Sequence, residues 1–216
     1  MKIASCAKRP GVSVGEPLNV SRAALRPHEL MQKAADFFER LSVPYRIVRS
    51  MASMAYGEAR FTNGIDILAD LREDQVEALA QEFPPPDYYV SPTAAREAIR
   101  DRRQFNIIHV PSGLKLDIVQ RKDSEFGALD ITHGRRSKSE GLYDAWFGSP
   151  ENVILMKLRY FRDAGGEKHL RDIASMLLIQ VDAIDRDHIA KWADELGVLA
   201  QWEFVNEEVK RKTQQP

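Results

Sequence analysis

Residues Val48 to Asp70 read VRSMASMAYGEARFTNGIDILAD, and the succession of element types in this stretch decides the fold. Val48 closes a short strand that begins at Tyr45, just after Pro44. Ser50 to Tyr56, built from Ser, Met, Ala and a final Tyr, reads as a short helix that Gly57 stops. Ile65 to Ala69 reads as a buried strand. Side chains alternate along a strand, so Gly64 and Asp66 share one face while Ile65 and Ile67 take the other. A lone acid on an otherwise apolar strand, two residues after a glycine, is the feature to be explained.

Working outward, Leu30, Ala34, Phe37, Phe38 and Leu41 form one apolar stripe, which predicts a helix after Pro27. Glu73 to Phe83 is amphipathic and ends at the triple proline Pro84-Pro85-Pro86. Ala94 to Arg103 predicts a further short helix. Phe105 to Val110 and Leu114 to Val119 are strands joined by Pro111-Ser112-Gly113, a hairpin signal. On the second strand Leu114, Leu116 and Ile118 face one way, and Lys115, Asp117 and Val119 the other. Residues 121 to 148 carry no decisive pattern. Ser149-Pro150 then announces a helix, with serine as cap and proline in the first helical position. Helices are expected over 151–163, 167–180, 186–196 and 198–210. Residues 1 to 25, with Pro10, Gly11, Gly15 and Pro17, read as an irregular arm. The expected organisation is this arm, an α/β domain over 26–148, and a helical domain over 149–216.

With 216 residues, 44% hydrophobic and 29% charged, the chain has the composition of a soluble globular protein with room for a real core. The formal net charge of −1 gives no global field for nucleic acid. The basic runs RDRR at Arg100 and GRRSK at Gly134 have the ordinary role of solvated faces. Cys6 is the single cysteine and excludes an internal disulfide. No apolar run spans a membrane and no signal-peptide core is present, so a cytoplasmic location is expected. The five histidines lie far apart, without metal-ligand spacing.

Asp66 and Asp117 are each a lone acid on an apolar strand, which taken singly reads as a paired structural carboxylate; the weight comes from the order in which they occur. The order of turn, helix, strand acid and hairpin acid resembles the nucleotidyltransferase fold of the DNA polymerase β superfamily. That resemblance implies an α+β fold, a mixed sheet flanked by helices and followed by a C-terminal helical bundle. In that family a Gly-Ser turn holds the triphosphate and an Asp-x-Asp pair binds the metals. Here the matching positions are Arg49-Ser50 and Gly64-Ile65-Asp66. The resemblance places Asp66 and Asp117 as the second and third metal ligands, with Gly64 in place of the first. Glu58 and Asp70 are the nearest replacement acids in sequence. Arg49 either blocks the backbone's approach to an anion or offers it a guanidinium. Ser50 either meets an anion or caps the helix. Arg60 and Thr62 either contact an anion or lie in an exposed turn.

The stretch ENVILMKLRYFRDAGGEKHLRDIASML, from Glu151, is similar to the C-terminal region of a bacterial nucleotidyltransferase-like family that includes the AbiEii-type toxins. In those proteins a lysine on a Ser-Pro-Glu-led helix and an aspartate on a later helix grip the triphosphate and assist the acceptor hydroxyl. The matching residues are Lys157 and Asp172; their alternative is a buried structural ion pair. The resemblance runs from about Phe37 to Leu199.

Three functions are therefore carried forward. The first is a degenerate nucleotidyltransferase that keeps nucleotide or partner binding. The second is an active divergent enzyme that uses magnesium to move a nucleotide from an NTP to an RNA or protein hydroxyl, through Asp66, Asp117, Lys157 and Asp172. The third is a non-enzymatic module for RNA or an antitoxin-like protein.

Overall fold

The computed structural model describes residues 25–59, 62, 64–181 and 183–214. The irregular arm expected over residues 1 to 25 falls outside the described residues except for Leu25. Helix α1 (Pro27–Arg40) starts at a capping box in which the Arg26 backbone N–H donates to Glu29 at 2.8 Å. Leu41, just past the helix end, is half-buried, and Leu30, Ala34, Phe37 and Phe38 of its apolar stripe are buried. Each such side chain contributes roughly 1.5–3 kcal/mol relative to exposure.

Strand β1 (Tyr45–Val48) runs directly into helix α2 (Arg49–Tyr56), one residue earlier than the sequence suggests. Val48 is the residue that flanks the start of α2, so Ser50 lies inside the helix and does not cap it. Gly57 ends α2 for a packing reason. A Cβ there would sit 2.7 Å from Ser175 Oγ and 3.0 Å from the Ser53 carbonyl. Strand β2 (Gly64–Ala69) follows, then a 3₁₀ turn (Glu73–Gln75), α3 (Val76–Glu82), the two-residue β3 (Tyr88–Tyr89) and α4 (Pro92–Arg100).

Strands β4 (Gln104–His109) and β5 (Leu114–Gln120) form the expected hairpin. Gly113, at φ +69, takes the left-handed position of its turn. The undecided stretch resolves into α5 (Glu125–Thr132), β6 (Gly134–Ser139) and β7 (Tyr143–Gly148). Helix α6 (Pro150–Ala164) opens as expected, with Ser149 Oγ accepting from the Asn152 backbone N–H at 3.2 Å. Helices α7 (Glu167–Ile179), α8 (Arg186–Glu195) and α9 (Leu199–Gln214) complete the chain and pack on α6 and on one another.

The fold is α+β, with one seven-stranded mixed sheet in the order β3-β4-β5-β2-β1-β7-β6. At its centre β2 runs antiparallel to β1 and parallel to β5. Ile65, Ile67, Leu116 and Ile118 are fully buried on the face that α1 covers. The other face carries Val48, Asp66, Leu68, Asp117 and Val119, and α2 and α6 lie against it. No helix among the described residues is long and apolar enough to cross a membrane.

Candidate functional site

The register of the parallel pair sets Asp66 of β2 directly beside Asp117 of β5. Val48, the last residue of β1, pairs with Asp66 on the other side, so the β1–α2 junction stands next to the carboxylates. Both aspartates are about 9% exposed, too buried to be left uncompensated.

Arg49 supplies the compensation. Its backbone sits at φ +54, in the left-handed region that favours glycine. The turn therefore keeps a shape suited to glycine although the residue is arginine. From this backbone the side chain turns inward, and Nη1 donates to Asp66 Oδ1 at 2.5 Å. Nε donates to the Tyr160 hydroxyl at 3.0 Å, and the guanidinium lies 5.4 Å from the Tyr160 ring centroid. The sequence left two roles for Arg49, blocking a phosphate turn or meeting an anion. The anion it meets is the protein's own Asp66.

Burial pushes the Asp66 carboxyl above its ordinary value; Arg49 opposes this and the Asp117 charge adds to it. Burial works against the charge on Arg49, but Tyr160 and Asp66 outweigh it and hold the guanidinium protonated. The resulting Arg49–Asp66 salt bridge measures 2.5 Å.

Asp117 is also engaged. Lys115, two residues back on the same face, places Nζ 3.0 Å from Asp117 Oδ1. Asn106 stands opposite Asp117 in the β4–β5 ladder, and with its amide nitrogen turned inward it donates to Asp117 Oδ1 at 2.7 Å. Gly64, on the same face as Asp66, leaves open space: a Cβ built there meets nothing within 4 Å.

Magnesium does not fit this donor set as it stands. A hard dication takes oxygens in near-octahedral array. Here Asp66 already holds a guanidinium, Asp117 an ammonium, and Gly64 offers no oxygen. Among the described residues no three His, Cys, Asp or Glu side chains converge. Asp70 is no replacement, being paired with Arg102 and Arg121 at 3.0 Å each. Glu58 instead lies with Lys168, Arg171 and Ser175 in a groove along α7.

Lys157 of α6 and Asp172 of α7 form the pair that the sequence suggests, Nζ to Oδ2 at 2.5 Å, with Lys157 only 4% exposed. They share a groove with Arg49, Ser50, Tyr160 and Lys168. The structure thus gathers Ser50, Lys157 and Asp172 on one side of Arg49 and sets Asp66 and Asp117 behind it. Thr62 does not join them; its hydroxyl donates to the Gly64 carbonyl at 3.2 Å and closes the turn. Arg60 lies outside the described residues. Tyr160 escaped sequence reasoning, although its place three residues after Lys157 on one helix face was a usable signal. Asp130 and Asn152, which line the cleft on the opposite side of Arg49, had no such signal.

No protein-family model matches the chain, and no curated protein is similar to it. Among solved structures, the chain is similar to the antibiotic-resistance factor ANT(2'')-Ia at 11% identity and TM-score 0.48, over 88% of this chain and 97% of that one. It is similar to an antigenic nucleotidyltransferase-like protein from Paracoccidioides brasiliensis at 15% identity and TM-score 0.48, over 81% and 91% of the two chains. It is also similar to the lincosamide antibiotic adenylyltransferase LnuA, solved with lincomycin, at 17% identity and TM-score 0.48, over 72% and 99%. These likenesses in chain course are too loose to carry any residue role onto this protein.

Proposed function

We propose that this chain is a nucleotidyltransferase-like protein whose metal centre has given way to an internal ion pair, with transfer chemistry lost or strongly reduced and anion binding kept. The observation that carries it is the Arg49–Asp66 contact at 2.5 Å. Nucleotidyl transfer places charge on phosphoryl oxygens, and the cation that stabilises it must be free to bind them. A guanidinium fixed to Asp66 and Tyr160 is already committed. The α/β part over 26–148 carries this locked centre, and the helical part over 149–216 supplies Lys157 and Asp172.

The groove between α2, α6 and α7 supports the binding half of the proposal. Arg49 and Lys157 are each balanced by a carboxylate, Asp66 and Asp172, and Lys168 adds a further positive charge to the groove. An anionic ligand such as a nucleoside triphosphate, or the phosphate of an RNA acceptor, is the expected guest. One observation favours the active divergent enzyme, with an RNA or protein hydroxyl as acceptor and an antitoxin-like partner. Lys157 and Asp172 stand beside Ser50, as gripping a triphosphate and assisting a hydroxyl would need.

Calorimetric titration of each nucleoside triphosphate, with and without magnesium, separates the two. The parent is expected to show no magnesium dependence. Gly64→Asp alone is expected to change little, because Arg49 still holds Asp66. Arg49→Gly with Gly64→Asp is expected to gain magnesium-dependent binding of at least about tenfold, as a metal held by two carboxylates implies. Magnesium-dependent binding or nucleotidyl transfer by the parent overturns the proposal.

A further inference from the structure

On the side of Arg49 and Tyr160 away from Ser50, a second cleft runs between α6, α5 and the open face of the sheet. Its inner wall is apolar, formed by Val48, Leu68, Val119, Val153 and Met156. Two polar side chains interrupt that wall, Asp130 of α5 and Asn152 of α6. Asn152 Nδ2 donates to Asp130 Oδ1 at 3.1 Å. Asn152 is 1% exposed, and among the described residues its Oδ1 has no hydrogen-bond partner. A buried acceptor without a donor is rare and asks for an explanation.

The Asp130 carboxyl is costly as well. Burial lifts it to about 6, against the opposing effects of the Asn152 hydrogen bond and the Arg46 charge. It is therefore ionised at pH 8 and rich in acceptor sites. The mouth of the cleft has the reverse character, with Arg102, Arg103, Lys122 and Arg159 around it. Arg102 and Arg103 are paired with Asp70, Asp123 and Asp101. Arg159 makes no ion pair among the described residues; it donates to the Met156 sulfur at 3.8 Å, and its charge also acts on Asp163. The outer cleft, which Asp130, Leu68, Val119, Met156 and Arg159 line but Asn152 does not, holds about 530 Å³, inside the roughly 300–1,000 Å³ range of small-molecule sites, whereas the inner recess beside Asn152 holds about 60 Å³.

We propose that this cleft binds a flat 2-amino-4-oxo heterocycle bearing an anionic tail, with its N–H edge on Asp130 and its tail at Arg159. A carboxylate accepts two parallel N–H bonds, and such a ring offers two from adjacent ring and amino nitrogens. The apolar wall accommodates the ring faces, and the basic mouth disfavours a cationic amine. Guanine nucleotides and folate-type pterins share this edge, and both carry an anionic tail. The proposal does not rest on the nucleotidyltransferase reading, since it needs neither a triphosphate nor a metal.

The test titrates GMP, IMP, XMP and folate into the full chain at pH 8 in chelator. GMP or folate is expected to bind, and the comparison of the two identifies the source of the ring. IMP, which lacks the amino group, is expected to bind at least about tenfold more weakly than GMP when GMP is the guest, the loss of one charge-assisted bond. Asp130→Asn replaces an acceptor with a donor and removes the buried charge, so the variant is expected to fold. It is expected to weaken GMP or folate at least about tenfold and to favour XMP, whose carbonyl replaces the amino group. Arg159→Ser is expected to weaken GMP while leaving guanosine unchanged, or to weaken folate if that is the guest. Failure of both GMP and folate to bind overturns the proposal. So does binding that Asp130→Asn leaves unaltered.

Discussion

Replacing Arg49 sets two effects of opposite sign against each other. The ion pair is partly buried, with side-chain exposures of 30% for Arg49 and 12% for Asp66. Breaking a fully buried pair from one side costs about 3–5 kcal/mol, so about 2–3 kcal/mol is the figure for this half-screened one. The left-handed backbone at φ +54 works the other way, since a side chain there costs about 1 kcal/mol that glycine does not incur. Arg49→Ala keeps the strain and should lose about 2–3 kcal/mol; Arg49→Gly sheds it and should lose about 1–2. In an Asp66→Asn background the charge attraction is already gone, and Arg49→Gly should gain about 1 kcal/mol from the strain it sheds. Urea denaturation of the four proteins in the Arg49→Gly/Asp66→Asn cycle, together with Arg49→Ala, gives these numbers.

The pH dependence follows from Asp66. Its carboxyl already lies above the ordinary value, and removing Arg49 raises it further. The variant's native state then holds a proton that the parent has released. Its deficit should therefore be small near pH 4 and grow as pH rises from the ordinary carboxylate range towards neutrality. An Arg49→Gly loss that is equally large in the Asp66→Asn background would refute the ion pair as the reason for this arginine.

Asp130→Asn should stabilise the protein at pH 7 and above. A folded carboxyl raised from 3.8 to about 6 loses stability as pH climbs through that interval, by about 3 kcal/mol at about 1.4 kcal/mol per pH unit. The gain should vanish at pH 4, and urea midpoints at the two pH values check it. Gly57→Ala should cost about 1–3 kcal/mol, because its Cβ would lie 2.7 Å from Ser175 Oγ and 3.0 Å from the Ser53 carbonyl. A midpoint equal to the parent's would show that α2 and α7 can separate freely.

The elements that the sequence announces are those whose reasons are local. The β4–β5 hairpin has its Pro-Ser-Gly turn, α6 its Ser-Pro start, and β2 and β5 their alternation of apolar residues with one acid. The stretch from residue 121 to 148 was silent for physical causes. Strand β6 reads GRRSKS, half-exposed and polar on both faces, so no period-2 signal exists. It is held by pairing with β7. Strand β3 has only two residues and owes its existence to β4. Asp66 and Asp117 were legible because a buried acid on an apolar strand stands out. That Arg49 would occupy Asp66 was not, because it depends on a left-handed backbone and on Tyr160, 111 residues further along. Asp130 and Asn152 meet across 22 residues, and Asp130 comes from the segment that carried no decisive pattern.

The Arg49–Asp66 contact also alters how this carboxylate depends on its surroundings. A carboxylate neutralised by a dissolved ion gains stability by mass action, growing with the logarithm of ion concentration above the dissociation constant. Arg49 is carried by the same chain, seventeen residues from Asp66, so its local concentration is set by covalent tether rather than by the medium. Chelation cannot remove it and dilution cannot release it. The centre of this sheet thus has its counter-ion supplied at translation, and its charge balance is inherited with the polypeptide.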